Sequence, residues 1–348
     1  MIRHIGKFDR WTPDSGGELR IDPLEMKRAY DALEPTLKSA LHLAYERIRS
    51  YHEKQLPTSW FDTEANGTIL GQKVTPVDRA GLYIPGGKAA YPSSLLMNVI
   101  PAQVAGVEHI VVTTPTPDNE PNELLLAACH LCGVSEVFKV GGASAIAAMA
   151  YGTHTIPKVD VITGPGNIFV ATAKKMVFGE VNIDMIAGPS EIGVLADDSA
   201  NPSHIAIDLL SQAEHDEMAS SILITPSREF ADACAVEIEV WLKKLPREAI
   251  ARKSIEERAA IIVTESMEEA VRLMNEIAPE HLEVATDNPF ALLPSIKHAG
   301  AIFLGHYTPE AIGDYVAGPN HTLPTGGTAK FYSPLGVENF MKKSSIIS

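Results

Sequence analysis

The chain has 348 residues, 45% of them hydrophobic, and a formal net charge of −15 at pH 7. This length can bury a sizeable core and predicts a globular protein of two domains, whereas the acidic balance argues against nucleic-acid binding, which depends on clustered Lys and Arg. No apolar run is long enough to cross a bilayer and the N-terminus has no signal-peptide pattern, so we expect a cytoplasmic protein that does not bind membranes.

Residues 1–66 are predicted to form a helical lead-in, because residues 23–56 show apolar side chains at three-and-four spacing in two amphipathic helices. From residue 67 onward, short β-branched and apolar runs alternate with helical segments. This alternation extends over residues 67–188 and begins again over residues 189–318, which predicts two α/β domains with largely parallel sheets. Residues 319–348 are predicted to be a C-terminal return segment.

Three glycine-containing loops follow predicted strands of the first α/β domain: Ile84-Pro85-Gly86-Gly87, Val140-Gly141-Gly142-Ala143 and Thr163-Gly164-Pro165-Gly166-Asn167. Open α/β sheets bind ligands at the carboxyl ends of their strands, and a helix N-terminus offers free N–H groups to a phosphate. None of the loops matches the G-x-G-x-x-G fingerprint. Together they favour a nucleotide site, with ordinary turn chemistry as the alternative.

The three cysteines, Cys129, Cys132 and Cys234, are too few for a disulfide framework and fit a reducing compartment. The spacing of Cys129 and Cys132 also occurs in zinc and redox sites. The pair lies, however, within the helical pattern NELLLAACHLCGV with no second ligand pair nearby. We interpret both as ordinary helix cysteines.

Gln212 and His215 lie three residues apart at the end of an apolar helical run, so both side chains can face the same metal ion or polar ligand. Asp314, in a polar loop after the last predicted strand, would complete a nitrogen and oxygen donor set suited to zinc. That set is one ligand short of a closed tetrahedral shell. A helix cap or a surface acid is the alternative reading of Asp314.

Glu280 and His281 are adjacent at a predicted strand start, because Pro279 disfavours helix just before them. An imidazole that titrates near neutrality beside a carboxylate suits general acid–base catalysis. A chance pairing is the alternative. His321, in the segment AGPNHTLPTGG, is a further polar candidate in the loop region after the last strand.

Taken together, these segments resemble the histidinol dehydrogenase family over nearly the whole chain. The resemblance is carried by GLYIPGGKAAYPSSLLMNVIPAQVAGV, GPGNIFV, AGPSEIGVLAD, DLLSQAEHD, APEHLEV and GDYVAGPNHTLPTGGTAKFYSPLGVENF. It implies two Rossmann-like domains related to the aldehyde dehydrogenases. It also implies an enzyme of histidine biosynthesis that uses zinc and NAD to oxidise L-histidinol through histidinal to L-histidine.

The resemblance further implies residue roles. Gln212, His215 and Asp314 look like zinc ligands, and the family's metal holds the substrate through its imidazole and amino nitrogens. His281 looks like the base that takes the hydroxyl proton, and Glu280 like the group that activates water for the second oxidation. The implied substrate contacts are Ser190, Gln212, His215, His281, Asp314 and His321, and the implied dinucleotide contacts are Tyr83, Ser144 and Asn167.

The sequence departs from the family pattern at both ends and at two internal positions. We expect the family's N-terminal helical section to be largely missing before GKFD, and its C-terminal extension to be missing after Ser348. In the family that extension reaches over from the partner of a homodimer and supplies a zinc-binding His and a substrate-contacting Glu. Ser144 stands where the family has Gln, and Asp216 where it usually has Gly.

Three functions remain open at the level of the sequence. The first is histidinol oxidation, and the second is oxidation of another polar alcohol, such as a sulfonated or polyhydroxy compound, by a paralogue. The third is a non-catalytic remnant that binds a nucleotide or a partner protein. The presence of Glu280, His281 and the QAEH segment favours a catalyst over a remnant but does not identify the alcohol.

Overall fold

In the computed structural model of the protein, residues 1–86 and 92–348 are described. Within these ranges the helices are α1 Ile2–Phe8, α2 Pro23–Ala32, α3 Pro35–Glu53, α4 Pro92–Ala105, α5 Glu123–Leu131, α6 Gly142–Tyr151, α7 Ile168–Val177, α8 Pro202–Ala213, α9 Arg228–Leu242, α10 Glu248–Arg258, α11 Met267–Ile277, α12 Pro289–Leu292 and α13 Glu310–Tyr315. None of them has the length and apolar character needed to cross a membrane.

The strands are β1 Trp60–Thr63, β2 Ile69–Pro76, β3 Arg79–Tyr83, β4 His109–Thr114, β5 Glu136–Lys139, β6 Val161–Thr163, β7 Asn182–Ile183, β8 Glu191–Ala196, β9 Ser220–Thr225, β10 Ala260–Val263, β11 His281–Ala285, β12 Ala301–Leu304 and β13 Met341–Ile347. The chain folds into two compact units. The first contains residues 1–186, 314–322 and 335–348, and the second contains residues 187–313 and 323–334. The four-part division expected from the sequence pattern stays a prediction.

The first unit is built on a five-stranded parallel sheet with the order β5-β4-β3-β6-β7. From β3 the chain moves through β4 to β5 on one side, and it later continues from β6 to β7 on the other side. The direction of winding therefore reverses between β3 and β6, which end at Tyr83 and Thr163. In open α/β sheets, ligands bind at the carboxyl ends of the strands at such a reversal.

The second unit is built on another five-stranded parallel sheet, with the order β10-β9-β8-β11-β12. Its strand β11 is buried at every residue, as expected for a strand covered on both faces. The first residue of β11, His281, is in register with Ile192 on β8 and with Ala301 on β12. The predicted fold class, α/β with two Rossmann-like parallel sheets, is confirmed.

Helix α8 begins with Pro202 after the N-cap Asn201, whose side chain accepts a hydrogen bond from the N–H of Ser203. It packs its apolar face into the core of the second unit and, as a crossover helix, returns toward the amino ends of the strands. Near its end, the carbonyl of Leu209 accepts a hydrogen bond from the hydroxyl of Ser221 at the start of β9, over 2.7 Å. The C-terminus of α8 is thereby fixed at the amino edge of the sheet.

A small antiparallel sheet in the first unit has the order β1-β2-β13 and was not expected from the sequence. Strand β13 pairs with β2 from Met341, opposite Pro76, to Ile347, opposite Leu70. The segment before residue 66 is thus not helical throughout, since it includes β1. Strands β2 and β13 lie far apart in the chain, so their pairing leaves no signal in the local sequence. Strand β1 is exposed along its whole length and therefore shows no alternation of buried and exposed residues.

The cysteines are buried and free of disulfides, in agreement with their reading as ordinary core residues. Cys129 lies in α5 and Cys132 directly follows it. Burial raises the pKa of the Cys132 thiol to about 12, and burial likewise raises the pKa of Cys129. Neither thiol is therefore a ready thiolate ligand or nucleophile at neutral pH.

His52, in the last turn of α3, is a fully buried histidine in the first unit. Its Nδ1 lies 2.7 Å from the carbonyl oxygen of Ile48, and its Nε2 lies 3.3 Å from Nδ2 of Asn320. A carbonyl can only accept, so Nδ1 carries the hydrogen and Nε2 is the acceptor toward the amide of Asn320. Burial lowers the pKa of His52, which fits this neutral ring.

A folded-state pKa below the unfolded value means that the unfolded chain binds more protons, so the contribution of His52 is present above pH about 6.5 and is lost as the pH falls. We expect the free energy of unfolding to fall more steeply between pH 7 and 5 in the unsubstituted protein than in His52→Gln. Urea unfolding at a series of pH values measures both slopes. Parallel profiles for the two proteins would contradict a neutral His52 in the folded state.

Candidate active site

The candidate catalytic pair lies where β11 begins. Helix α11 ends at Ile277, its C-cap Ala278 turns the chain with a left-handed backbone (φ 53°), and Pro279 cannot continue the helix. Glu280 and His281 then lead into the interior strand β11, which begins at His281, with exposures of only 8% and 4%. Strand pairing therefore holds both residues at the amino edge of the second sheet.

The backbone of Glu191, the first residue of β8, holds both of these side chains. Its N–H donates to Oε2 of Glu280 over 3.0 Å, and its carbonyl oxygen lies 3.1 Å from Nδ1 of His281. Because the carbonyl can only accept, Nδ1 of the neutral ring must carry the hydrogen. The lone pair that can take up a proton is then on Nε2.

Nε2 of His281 faces the short helix α13. It lies 3.9 Å from Oε1 of Glu310. Asp314 follows Glu310 by one turn on this helix, and one ligand atom from each of His281, Glu310 and Asp314 lies within 4.8 Å of the others. One imidazole nitrogen with two carboxylates is a donor set that suits a divalent cation such as zinc.

Glu310 connects α13 to two other elements. Its Oε2 accepts a hydrogen bond from the hydroxyl of Ser211 near the end of α8, over 2.9 Å, and its backbone N–H donates to Oε1 of Glu283 on β11, also over 2.9 Å. These bonds fix the start of α13 against the strand that carries His281. Ser211 is followed in the chain by Gln212, the predicted zinc ligand.

A second pair of acids lies behind the cluster. Burial, together with the negative charge of Asp208 on α8, raises the pKa of Glu283 to about 9. Burial also raises the pKa of Asp208, although the hydrogen bond from Glu283 opposes this shift. At neutral pH Glu283 is therefore protonated and donates to the carboxylate of Asp208, which avoids two adjacent buried negative charges.

Gln212 has a side chain whose polar atoms are not bound by the described residues. Its side chain is fully buried, and within the described parts of the chain neither Oε1 nor Nε2 has a hydrogen-bond partner. A buried amide without partners is rare in folded proteins because it is unfavourable. An unpartnered amide oxygen of this kind is suited to a metal ion, and the ligand role of Gln212 stays a prediction.

His215 is exposed and lies just beyond α8, which ends at Ala213. Its N–H donates to the carbonyl of Gln212 over 3.0 Å, which continues the helix by one 3₁₀ turn. Gln212 is fully buried whereas His215 is exposed, and the group of ligand atoms at His281, Glu310 and Asp314 does not include His215. The shared face of Gln212 and His215 and their ligand roles stay predictions.

Ser190 lies in the loop that leads into β8, and this loop is fastened to the segment around residue 325. The N–H of Gly188 donates to the hydroxyl of Thr325, and the N–H of Gly326 donates to the carboxylate of Glu191 over 3.1 Å. Burial raises the pKa of Glu191, and the hydrogen bond from the N–H of Gly326 opposes this shift. The predicted substrate contact at Ser190 is thus carried by a loop with fixed ends.

His321 lies between two anchored neighbours in the first unit. Nδ2 of Asn320 donates to the carbonyl of Met97 over 2.6 Å, and the carbonyl of Thr322 accepts from the N–H of Leu335 over 2.9 Å. The segment that carries His321 is therefore held to α4 on one side and to the chain before β13 on the other. Its role as a substrate contact stays a prediction.

The predicted dinucleotide contacts lie at the carboxyl ends of strands in the first sheet. Tyr83 ends β3, and its hydroxyl accepts from the N–H of Gly142 over 3.3 Å. Ser144 lies in the first turn of α6, and Asn167 is the N-cap of α7. Gly87, from the first of the predicted loops, lies outside the described residues.

Sequence reasoning did not identify Glu191, Ser211, Glu283, Glu310 or Asp208. Glu191 and Ser211 stand beside residues that were identified, Ser190 and Gln212. Each of the two glutamates had a signal in the sequence: Glu283 is an acid inside an apolar strand pattern, and Glu310 is an acid at the start of a helix. Their contact with one another is set by the fold and leaves no spacing in the sequence.

Comparison with known proteins identifies the relatives of this chain. The model of the histidinol dehydrogenase family matches residues 1–348. The histidinol dehydrogenase of Sulfurimonas denitrificans is 81% identical over 348 residues, which are 100% of this chain and 81% of that protein. That of Wolinella succinogenes is 73% identical with the same coverage.

Solved structures give the same result. The histidinol dehydrogenase of Elizabethkingia anophelis superposes with a TM-score of 0.95 at 37% identity, covering 100% of this chain and 80% of that one. A probable aldehyde dehydrogenase from Listeria monocytogenes superposes with a TM-score of 0.57 at 15% identity, covering 100% of this chain and 96% of that one. The second likeness concerns the fold alone.

The protonated state of Glu283 can be tested by its effect on stability. Its folded pKa, about 9, is above the ordinary glutamate value of 4.5, so the folded state binds more protons between these values and stability falls as the pH rises. Glu283→Gln keeps a donor toward Asp208 and does not titrate. We expect chelator-treated protein to lose stability from pH 6 to 9 more steeply than chelator-treated Glu283→Gln in thermal unfolding.

Glu257→Gln, which removes an exposed carboxylate, is the matched control and should keep the slope of the unsubstituted protein. An identical slope in Glu283→Gln would show that Glu283 is ionised in the folded state.

Proposed function

This chain belongs to the histidinol dehydrogenase family, and we propose that Glu280 and His281 carry out its proton transfers on an alcohol held by ligands from α8 and α13. It is an NAD-dependent oxidoreductase that acts on the CH–OH group of histidinol and uses zinc. Identity of 81% over the full chain does not favour a different polar alcohol or a non-catalytic remnant. The roles of individual residues form the proposal.

The observation that carries the proposal is the double hydrogen bond from the backbone of Glu191. It orients the carboxylate of Glu280 and the ring of His281 from one point, and it leaves Nε2 as the basic atom. The two side chains also approach one another, with Oε2 of Glu280 3.7 Å from Nδ1 of His281. A base held in one tautomer and orientation before the substrate arrives needs little reorganisation in the transition state.

The first oxidation needs a base for the hydroxyl proton of histidinol. Nε2 of His281 takes this proton, and NAD⁺ bound at the loops around Tyr83, Ser144 and Asn167 would supply the acceptor for the hydride of the carbinol carbon. Protonation of the ring is compatible with its surroundings, because the carboxylate of Glu310 lies 3.9 Å from Nε2. The carboxylate of Glu310 thus favours the protonated imidazole that forms when His281 takes the proton.

The second oxidation needs water to add to the aldehyde. We assign to Glu280 the removal of a proton from this water, so that oxygen adds to the aldehyde carbon and forms the hydrate. His281 is assigned the second hydroxyl proton, that of the hydrate, and a second NAD⁺ would again supply the hydride acceptor for the oxidation to the acid. The 8% exposure of Glu280 keeps its carboxylate poorly hydrated, which suits a base that acts on one bound water.

Zinc would be held by Gln212, His215 and Asp314. When bound, the ion supplies a fixed positive centre for the nitrogen atoms of the substrate. The fully buried, unpartnered amide of Gln212 supports this role. Asp314 has a ligand atom within 4.8 Å of those of His281 and Glu310, so a cation held by Asp314 would lie close to the base. Ser190 and His321 are assigned to substrate contact, and Tyr83, Ser144 and Asn167 to the dinucleotide. A homodimer and a cytoplasmic location, expected from the resemblance and the sequence, stay predictions.

Replacement of His281 tests the base. His281→Asn keeps an amide donor that can reach the carbonyl of Glu191, but it has no group that can take the hydroxyl proton. We expect kcat for NADH formation from histidinol to fall by roughly 10²–10⁴-fold with an unchanged circular dichroism spectrum. Absorbance of NADH under saturating substrates is the measurement.

Glu280→Gln separates the two steps, because its amide cannot take a proton from water. This variant should still oxidise histidinol and should stop near one NADH per histidinol in a single-turnover experiment. Full turnover in His281→Asn would remove His281 from the mechanism, and two rapid NADH in Glu280→Gln would remove Glu280 from the second step.

Replacement of Gln212 tests the zinc site through two opposite effects. In Gln212→Leu the buried unpartnered amide is gone, so we expect the chelated protein to gain about 1 kcal/mol in unfolding free energy. The same variant should bind zinc at least about tenfold more weakly, because a ligand is lost. Thermal unfolding of chelated protein and zinc titration give the two values.

Two exposed histidines at opposite ends of α8 provide matched variants for this test. His215→Ala should lose zinc affinity as Gln212→Leu does, whereas His204→Ala should retain it. Unchanged zinc affinity in both Gln212→Leu and His215→Ala would place the metal elsewhere.

A further inference from the structure

A buried ion pair in the first unit lies outside the residues described so far. Lys174 on α7 contacts Asp184, the residue after β7, and their side chains are only 3% and 0% exposed. Isolated burial of a charge is strongly unfavourable, and even a paired buried charge often stabilises a protein no more than an apolar pair would. A role beyond general stability therefore explains why charges occupy this position.

The ion pair holds both polar groups of one glycine. Nζ of Lys174 donates to the carbonyl of Gly164 over 3.0 Å, and Oδ2 of Asp184 accepts from the N–H of the same residue over 2.8 Å. The other oxygen, Oδ1, accepts from the N–H of Met185. Both backbone groups of Gly164 are thus bound by side chains of opposite charge.

The fold brings these two side chains to the loop. Val170, Lys174 and Val177 lie on the buried face of α7, and a long helical side chain points back toward the helix N-terminus. Lys174 therefore reaches toward the loop that precedes its own helix. Asp184 is brought there by β7, and its N–H continues the pairing with β6 by donating to the carbonyl of Ile162.

Gly164 has a conformation that requires this kind of support. Its φ is +116°, and a Cβ atom at this position would lie 2.0 Å from the carbonyl oxygen of Tyr83. The loop thus crosses closely over the end of β3, at the reversal point of the first sheet. It continues to Asn167, which caps α7 and leaves the first turn of this helix facing the proposed dinucleotide site.

We infer that Lys174 and Asp184 are positioning residues for the dinucleotide: the buried pair clamps Gly164 and so sets the loop of residues 164–167 at the height over β3 that NAD⁺ binding requires. The inference rests on the proposed place of the cofactor at Tyr83, Ser144 and Asn167. Neither side chain needs to touch NAD⁺, because each is satisfied by the other and by Gly164.

The test uses the double substitution Lys174→Met with Asp184→Asn, which removes both charges together and leaves no uncompensated buried charge. It removes the donor to the Gly164 carbonyl, while Asn at 184 can still accept from a backbone N–H. We expect Kd for NAD⁺, measured by calorimetric titration, to rise about tenfold, since the loop without this support would hold the binding conformation about a tenth of the time. Zinc affinity and the KM for histidinol should be unchanged, because their proposed ligands lie elsewhere.

A matched control is the exposed pair Lys158 and Glu180, which joins side chains of the same unit at about half exposure. Lys158→Met with Glu180→Gln should bind NAD⁺ as the unsubstituted protein does. Lys174→Arg, which keeps a charged donor, should retain most of the affinity for NAD⁺ of the unsubstituted protein. If the double variant does not fold, Lys174→Gln with Asp184→Asn serves, because it also leaves no unpaired buried charge and keeps a neutral donor, with an expected loss of about threefold.

Hydrogen exchange separates a failure of this inference from a failure of the cofactor assignment. In the unsubstituted protein, NAD⁺ should slow exchange of the amides of residues 164–170, and the double variant should exchange faster there without NAD⁺. Protection by NAD⁺ together with unchanged affinity in the folded variant would overturn the positioning role. No protection of residues 164–170 would overturn the cofactor assignment and the inference with it.

Discussion

The parallel pairing of β8 with β11 is the constraint on which the candidate active site depends. It sets Glu191 beside the start of β11, where the N–H and carbonyl of this one residue bind Glu280 and His281. Backbone groups orient both side chains, so the arrangement is independent of the side chain at residue 191. A slip of one residue in register would turn His281 to the opposite face of the sheet. Such a slip is opposed because Leu282 and Val284 pack in an apolar cluster, and a slip would place the polar side chains of His281 and Glu283 there instead.

The surroundings of His281 contain more acidic side chains than a buried site can hold as free anions. Glu280 and Glu283 each accept a backbone N–H, from Glu191 and Glu310, and Glu283 keeps its proton beside Asp208. These devices remove part of the electrostatic repulsion without removing the acids. The remaining carboxylates near Nε2 favour a positive charge, either on the protonated ring or on a bound cation. A single charge pattern thus supports both the base and the metal.

The sequence predicted the parts of this protein whose signal is local. Alternation of strand and helix patterns predicted two parallel sheets, and Pro279 predicted the strand start at Glu280 and His281. The contacts of Glu310 could not be predicted, because they join α8, β11 and α13 through space. Likewise, β2 and β13 are far apart in the sequence and come together only in the folded protein, so their pairing could not be predicted. Family resemblance supplied the residue roles, which local patterns left open.

The two units place their proposed sites at opposite edges of their sheets, and helix dipoles give a reason. At the carboxyl edge of a parallel sheet the following helices begin, so their N-termini present partial positive charge and free N–H groups. We assign the cofactor, which carries phosphates, to this edge of the first unit, where α7 begins after Asn167. At the amino edge the crossover helices end, and their C-termini present partial negative charge. We assign the cation to that edge of the second unit, where α8 ends near Gln212. Anionic cofactor and metal ion are therefore each assigned to the sheet edge whose backbone charge complements them.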